Sequence, residues 1–145
     1  MTITEADVAA GARRISDVLY GRSVDLVGFR QTQDGKPFVE VRDGRAHFIV
    51  RERGMELQHT VYDDLDELLY LVAVDETRSI ATGWEAESRH TRPADTDEWV
   101  VWRARQLQLM HQLDPVWGER LRAEVRVAAE LADVRFEDID AVVLD

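Results

Sequence analysis

The strongest constraint on the fold is a change in the spacing of apolar residues, which occurs twice along the chain. Between Pro37 and Val61 apolar and polar residues alternate, and the run is interrupted at Asp43-Gly44 and at Arg53-Gly54. A period of about two is typical of β-strands, and Asp-Gly suits the positive φ angles of a tight hairpin turn. The segment therefore predicts a three-stranded antiparallel meander.

The residues before the meander have helical spacing instead. Apolar side chains recur every three or four positions between Thr4 and Tyr20, Thr2 or Thr4 can cap the first turn, and Gly21 is placed to end the helix. We therefore predict a first helix from about Thr4 to Tyr20. Residues 23–29 are compatible with a short strand, and residues 31–37 have the composition of a loop.

Helical spacing returns after the meander. Asp63 or Asp64 can cap a second helix, and Glu67 lies three residues past Asp64, which is the spacing of a capping box. A broad apolar stripe continues from there to about Ser88, across a tolerable glycine. A long second helix is therefore predicted.

Two further helices and a short tail complete the pattern. The third helix is predicted to start at Asp95 or Thr96. Asp114 precedes a proline that suits the first helical position, so a fourth helix is predicted over about Pro115–Ala132. The final residues, 136–145, are compatible with a short strand or with an ordered arm.

The order of helix, antiparallel meander and three helices predicts a segregated α+β fold. Each strand has a face that mixes apolar and polar residues, so one side of the sheet must be covered. We expect the three C-terminal helices to pack on that face. A chain of 145 residues is the usual size of one domain. The sequence therefore predicts a single domain over residues 1–145.

The charge is unevenly distributed and limits the possible partners. The formal net charge is −11; residues 1–62 hold nine acidic and nine basic residues, and residues 63–145 hold twenty and nine. Such a field repels nucleic-acid phosphates and anionic membranes and attracts a basic partner. We therefore expect a protein partner and no direct binding to nucleic acid or to a membrane.

The residue types also bear on the cellular location of the protein and on the chemistry open to it. No apolar run approaches the roughly 18 residues of a membrane span, and the first residues lack a signal-peptide pattern, which predicts a cytoplasmic protein. The chain has no cysteine, no Gly-rich phosphate loop and no histidine pair at metal-ligand spacing. We expect no cofactor and no metal site. A small hydrolase or ligand-binding domain using Asp75, Glu76 and His111 stays an alternative.

The third helix carries both aromatic and polar residues on its apolar face. Trp99 and Trp102, with Trp117 on the fourth helix, are predicted to belong to the core. Gln106 lies in the same stripe and requires hydrogen-bonding partners. Glu76 falls on the apolar stripe of the second helix, where Arg103 is a candidate ion-pair partner, and we expect all these polar residues to support the fold.

Five groups of residues together resemble the bacterial immunity protein 63 family, which is associated with polymorphic toxin systems. The resemblance covers roughly residues 36–130. The groups are Glu52-Arg53-Gly54; Asp66-Glu67-Leu68-Leu69-Tyr70; Asp75 with Arg78, Ser79, Ala81 and Thr82; Arg103 with Gln106, Leu107 and Leu109; and Leu113 with Pro115 and Trp117.

The resemblance implies a non-enzymatic inhibitor that binds a cognate toxin domain, encoded nearby, and so protects the producing cell. The acidity favours a basic toxin, for example a nuclease. An adaptor or regulatory domain whose acidic helices bind another protein is the alternative. The sequence leaves the oligomeric state open. The residues predicted to contact the partner are the acids at the two ends of the second helix: Asp63, Asp64, Asp66, Glu67, Glu85 and Glu87.

Overall fold

The structure, a computed structural model, describes residues 2–144. The chain divides into two compact units, Met1–Ala73 and Val74–Asp145, with the division falling inside the second helix. The expectations of a single domain and of three helices on one face of the sheet stay predictions.

The first unit begins with helix α1, Glu5–Tyr20. The Thr4 hydroxyl accepts a hydrogen bond from the backbone N–H of Asp7 at 3.1 Å, and the Asp7 carboxylate accepts one from the Thr4 N–H at 3.0 Å. Gly21, with a φ of 69°, ends the helix in the left-handed region. The predicted first helix is confirmed, and Thr4 is its cap.

A three-stranded antiparallel sheet follows, in the order β1-β2-β3. Asp43 and Gly44 both have positive φ angles, 52° and 74°, as do Arg53 and Gly54, at 52° and 81°. Two successive positive φ angles match the right-handed twist of the flanking strands. The predicted meander is confirmed; its strands are β1, Asp34–Arg42, β2, Arg45–Glu52, and β3, Met55–Tyr62.

Strand β1 begins earlier than the sequence indicates. It includes Pro37, but the pairing with β2 shifts register between Asp34 and Pro37, and β1 is an edge strand. A proline is tolerated at such an irregular edge because its missing N–H is not needed by a neighbour. Residues 23–29 contribute a single bridge, between Gly28 and Phe38, and no strand.

Helix α2, Leu65–Ser88, has the predicted extent. In the first unit its residue Leu69 packs close to α1, where a Cβ on Gly11 would lie 2.3 Å from a Leu69 methyl carbon. The core of this unit is mostly apolar. Its buried residues include Ile3, Val8, Ile15, Phe38, Val39, Phe48, Ile49, Leu68 and Leu69.

The second unit is helical. It contains the end of α2, a 3₁₀ turn, Arg89–Thr91, helix α3, Glu98–Leu113, helix α4, Pro115–Leu131, and helix α5, Phe136–Asp140. Together with the first unit, this order confirms the α+β class.

Two predictions about this unit are corrected. Helix α3 is capped by Asp97, and not by Asp95 or Thr96, because residues Pro93 to Thr96 form a turn of their own. The start of the tail forms helix α5 in place of the predicted strand, since Phe136 and Ile139 are both buried at helical spacing, and Asp145 lies outside the described residues.

Helices α3 and α4 cross at close range. A Cβ on Gly118 would lie 2.8 Å from the Cα of His111, so only glycine fits this crossing. The Asp114 carboxylate caps α4 by accepting hydrogen bonds from the N–H groups of Val116 and Trp117, at 2.8 and 3.4 Å. The predicted restart of the helix at Pro115 is confirmed.

Candidate functional site

The acidic turn, defined here as Asp63, Asp64, Asp66 and Glu67, is the start of α2. All four residues are exposed. The Asp64 carboxylate accepts a hydrogen bond from the backbone N–H of Asp66 at 2.9 Å, so Asp64 caps the helix. The unpaired N–H groups of a first turn favour negative charge, which explains why acids accumulate here. The turn therefore combines a structural cap with an outward-facing negative surface.

Glu87, near the C-terminal end of α2, is also exposed, but Glu85 differs from all the other predicted contact residues. Glu85 has only 2% of its surface exposed. Arg89 Nε lies 3.0 Å from each carboxylate oxygen of Glu85, and Arg89 Nη2 lies 2.7 Å from one of them. The Glu85 carboxylate is therefore directed into the protein and is held there by a guanidinium group.

The charge on Glu85 is further stabilised by its surroundings. Arg92 Nη2 lies 3.7 Å from the same carboxylate. The hydrogen bonds from Arg89 hold the pKa of Glu85 below its ordinary value of 4.5, against the opposing effect of burial. Arg89 also contacts Glu98 at 2.9 Å, so the pair links the end of α2 to the start of α3. We interpret Glu85 as a structural residue.

Sequence reasoning missed the role of Arg89 and Arg92. The available signal was the i, i+4 spacing of Glu85 and Arg89, which is typical of an ion pair on a helix. These residues line a cleft of about 630 Å³ that also includes His90, Pro93 and Glu98. The Glu85 carboxylate in the wall of the cleft already pairs with Arg89 and Arg92.

The three tryptophans have two different environments. Trp117 is buried, which confirms its predicted place in the core. Trp99 and Trp102 are half-buried and meet edge to face, with ring centroids 6.3 Å apart. The Arg103 guanidinium lies over both rings, 4.5 Å from the centroid of Trp102 and 5.3 Å from that of Trp99. These two tryptophans are partly open to solvent and form a cation–π cluster.

Gln106 is completely buried and its amide is fully used. It donates hydrogen bonds to the Val74 carbonyl oxygen, at 3.0 Å, and to the Thr77 hydroxyl, at 3.4 Å. Its oxygen accepts a hydrogen bond from Arg103 Nη1 at 2.8 Å. The prediction that Gln106 has structural partners is confirmed. Arg103 also contacts the two tryptophan rings, and its pairing with Glu76 stays a prediction.

The histidines are distributed over both units. His47 Nδ1 and His59 Nε2 are 2.8 Å apart on the sheet, and His59 Nδ1 lies 2.7 Å from a Glu56 carboxylate oxygen. His111 lies in a cleft of about 370 Å³ that α3, α4 and the tail line. In the part of the chain that the structure describes, no three metal-ligating side chains form a cluster that could hold an ion.

A search of residues 2–144 for membrane-crossing segments finds no helix of sufficient length and apolarity. Comparisons with curated proteins and with solved structures find no match. The sequence model described as Immunity protein 63 does match, over residues 43–127, and this region includes the acidic turn, Gln106 and the Arg103 cluster. The match spans more than half of the sequence, and the chain belongs to the immunity protein 63 family.

Proposed function

We propose that this protein binds a cognate toxin domain encoded beside it and neutralises the toxin by covering its active surface, without catalysing a reaction of its own. The family match over residues 43–127 is the observation that carries this proposal. A protein inhibitor needs a complementary surface and no catalytic group, and a stable interface typically buries about 1,200–2,000 Å².

We further propose the acidic turn as a contact surface for the toxin. Its four carboxylates are exposed on one short segment, inside the region that the family model matches. Carboxylates grouped in this way accelerate encounter with a positively charged partner, because the attraction acts before the surfaces touch. Glu87 stays a predicted contact by itself. Glu85 is left out of the proposed surface because its carboxylate is buried against Arg89.

A basic nuclease is the toxin class that best fits the charge. The net charge of −11 arises entirely from residues 63–145, and nucleases carry positive charge where they hold phosphates. An acidic inhibitor can occupy the same groove as the nucleic acid. The same charge disfavours direct contact between this protein and nucleic acid, and we propose that it acts in the cytoplasm.

The test is binding and protection with the toxin-like product of the neighbouring gene. The toxin domain is expressed in a sensitive host with and without this protein, and the purified pair is titrated by calorimetry at low and at high salt. We expect protected growth, a stoichiometric complex and weaker binding at high salt. Tight binding without protection would contradict the neutralising role, and the absence of binding would contradict the proposal as a whole.

A further inference from the structure

Arg103 on α3 is a half-buried cation whose hydrogen-bonding capacity is only partly used. Its Nη1 donates to Gln106, and its guanidinium covers the rings of Trp99 and Trp102. Its Nε is buried and, within residues 2–144, has no hydrogen-bond partner. A guanidinium has five N–H donors, and leaving a buried donor unpaired is costly. The guanidinium of Arg103 therefore keeps unused hydrogen-bonding capacity within residues 2–144.

The electrostatic surroundings of Arg103 also favour the binding of a negative group. Burial lowers the pKa of Arg103, and the nearby positive charge of Arg78 lowers it further, whereas Glu124 acts weakly in the opposite direction. Arg78 is exposed, so its positive charge acts on Arg103 from the protein surface. A negative group between them would relieve both the burial cost and the repulsion.

Arg122 in the same unit shows what a completed site of this kind looks like. Its guanidinium lies 4.7 Å from the centroid of the Phe136 ring, and its two terminal nitrogens bind both oxygens of Asp140, at 2.8 and 2.6 Å. The hydrogen bond to Asp140 raises the pKa of Arg122. Arg122 and Arg103 share the aromatic contact, but within residues 2–144 the hydrogen bond from Arg103 Nη1 goes to the Gln106 amide and not to a carboxylate.

We propose that Arg103 and Arg78, flanked by Trp99 and Trp102, receive a carboxylate side chain of the partner protein. This inference rests on the proposed function and gives the toxin a second contact of the opposite sign to the acidic turn. Arginine and tryptophan are the residues that most often dominate binding energy at protein interfaces, and a guanidinium matches a carboxylate with two parallel hydrogen bonds.

A protein carboxylate is favoured over a nucleic-acid phosphate because of the charge around the site. Acidic residues outnumber basic ones in residues 63–145 by more than two to one. That excess repels a phosphate backbone, which carries many negative charges. A single carboxylate on a basic protein is instead surrounded by positive side chains, which the acidic residues attract.

The first experiment tests the site without a toxin. Sodium acetate is added to the protein at constant ionic strength, with chloride as the reference salt, and the indole N–H signals of Trp99 and Trp102 are followed by NMR. We expect saturable shifts of these two signals that are lost in Arg103→Met and kept in Arg105→Met. Shifts no larger than those in chloride would overturn the proposal, as would a response to inorganic phosphate alone.

Arg105→Met is a matched control for this change. Arg105 is also half-buried, lies over a tryptophan, Trp84, at 5.4 Å, and has a buried Nε without a partner in residues 2–144. It follows Arg103 by two residues, which places it on the other side of α3. Both variants therefore lose one charge and similar packing, but only one changes the proposed site.

The second experiment uses the complex with the toxin domain. We expect Arg103→Met and Arg78→Met each to weaken affinity about tenfold or more, and Arg105→Met to change it by less than about threefold. Arg78 is exposed, so its variant remains informative if Arg103→Met folds poorly. A toxin that binds the wild type and the Arg78 and Arg103 variants equally would overturn the inference and leave the proposed function standing. A toxin that does not bind the wild type would overturn the proposed function, and the acetate titration would still decide whether the site takes a carboxylate.

Discussion

The side-chain amide of Gln106 donates a hydrogen bond to the backbone carbonyl oxygen of Val74, over 3.0 Å, from a position with no solvent exposure. This bond joins α3 to α2 inside the second unit. The amide oxygen is used as well, by Arg103, so the whole side chain is paired away from water.

We expect Gln106→Leu to lower the free energy of unfolding by roughly 1–3 kcal/mol, because Arg103 loses its acceptor and the buried bonds to α2 are removed. Gln112→Leu is the matched control on the same helix. Gln112 is exposed, so its replacement is expected to change the stability by less than about 0.5 kcal/mol. Urea unfolding measures both. Equal losses would show that the buried amide has no special role.

Two helical glycines are expected to respond to alanine in opposite directions. Gly118→Ala places a Cβ 2.8 Å from the His111 Cα, so α3 and α4 must separate, and we expect a loss of about 1–3 kcal/mol. Gly83→Ala enters open space inside α2 and is expected to gain about 0.5–1 kcal/mol. Thermal unfolding distinguishes them. A stable Gly118→Ala protein would contradict the close crossing of α3 and α4.

The ion pair of Glu85 predicts a specific pH dependence. The folded pKa of Glu85 is held below its ordinary value of 4.5, so its contribution to stability is fully present above pH 4.5 and is lost as the pH falls through the lower folded pKa. We expect Glu85→Gln to be less stable than the wild type at pH 7, and the difference to shrink as the pH falls through the lowered pKa of Glu85.

Urea midpoints at several pH values measure this difference. Glu87→Gln is the control because Glu87 is exposed and only two residues away. Its replacement is expected to change the stability by less than about 0.5 kcal/mol at pH 7. A gap between Glu85→Gln and the wild type that stays constant on acidification would contradict the buried ion pair.

Reversing charge in the acidic turn tests its proposed contact with the toxin. We expect Asp63→Lys combined with Glu67→Lys to slow association about tenfold at low salt and to reduce its salt dependence. Asp64 is left unchanged because it caps α2. Stopped-flow or surface-binding kinetics measure the rates. The control carries the same change of net charge at Glu119 and Glu130, two exposed acids of α4. Equal slowing in both variants would remove the acidic turn from the interface.

Much of the fold follows from local signals in the sequence. The caps at Thr4 and Asp114, the stop at Gly21 and the turn at Asp43-Gly44 each act on neighbouring backbone groups, so they can be recognised without knowledge of the tertiary structure. The start of α3 was less predictable, because several adjacent polar residues can each cap a helix. The helix at the start of the tail was not predicted, because a five-residue helix has too few positions to show a period.

The candidate surfaces were less predictable, since they depend on which side chains are buried. Glu85 and Glu87 look alike in sequence, and only the packing of Arg89 and Arg92 separates the buried acid from the exposed one. Arg103 was predicted to pair with a carboxylate within the chain. Its contacts with an amide and two rings depend on tertiary packing, which no local pattern encodes, and the pairing with Glu76 stays a prediction.

The cap formed by Asp64 bears on how this surface can diverge. A toxin that changes its own surface selects for new side chains on the protein that opposes it. Asp63 lies outside the helix, whereas exchange of Asp64 costs about 1 kcal/mol through the loss of its bond to Asp66. New specificities are therefore expected to arise at exposed positions next to the cap, such as Asp63, while Asp64 itself is retained.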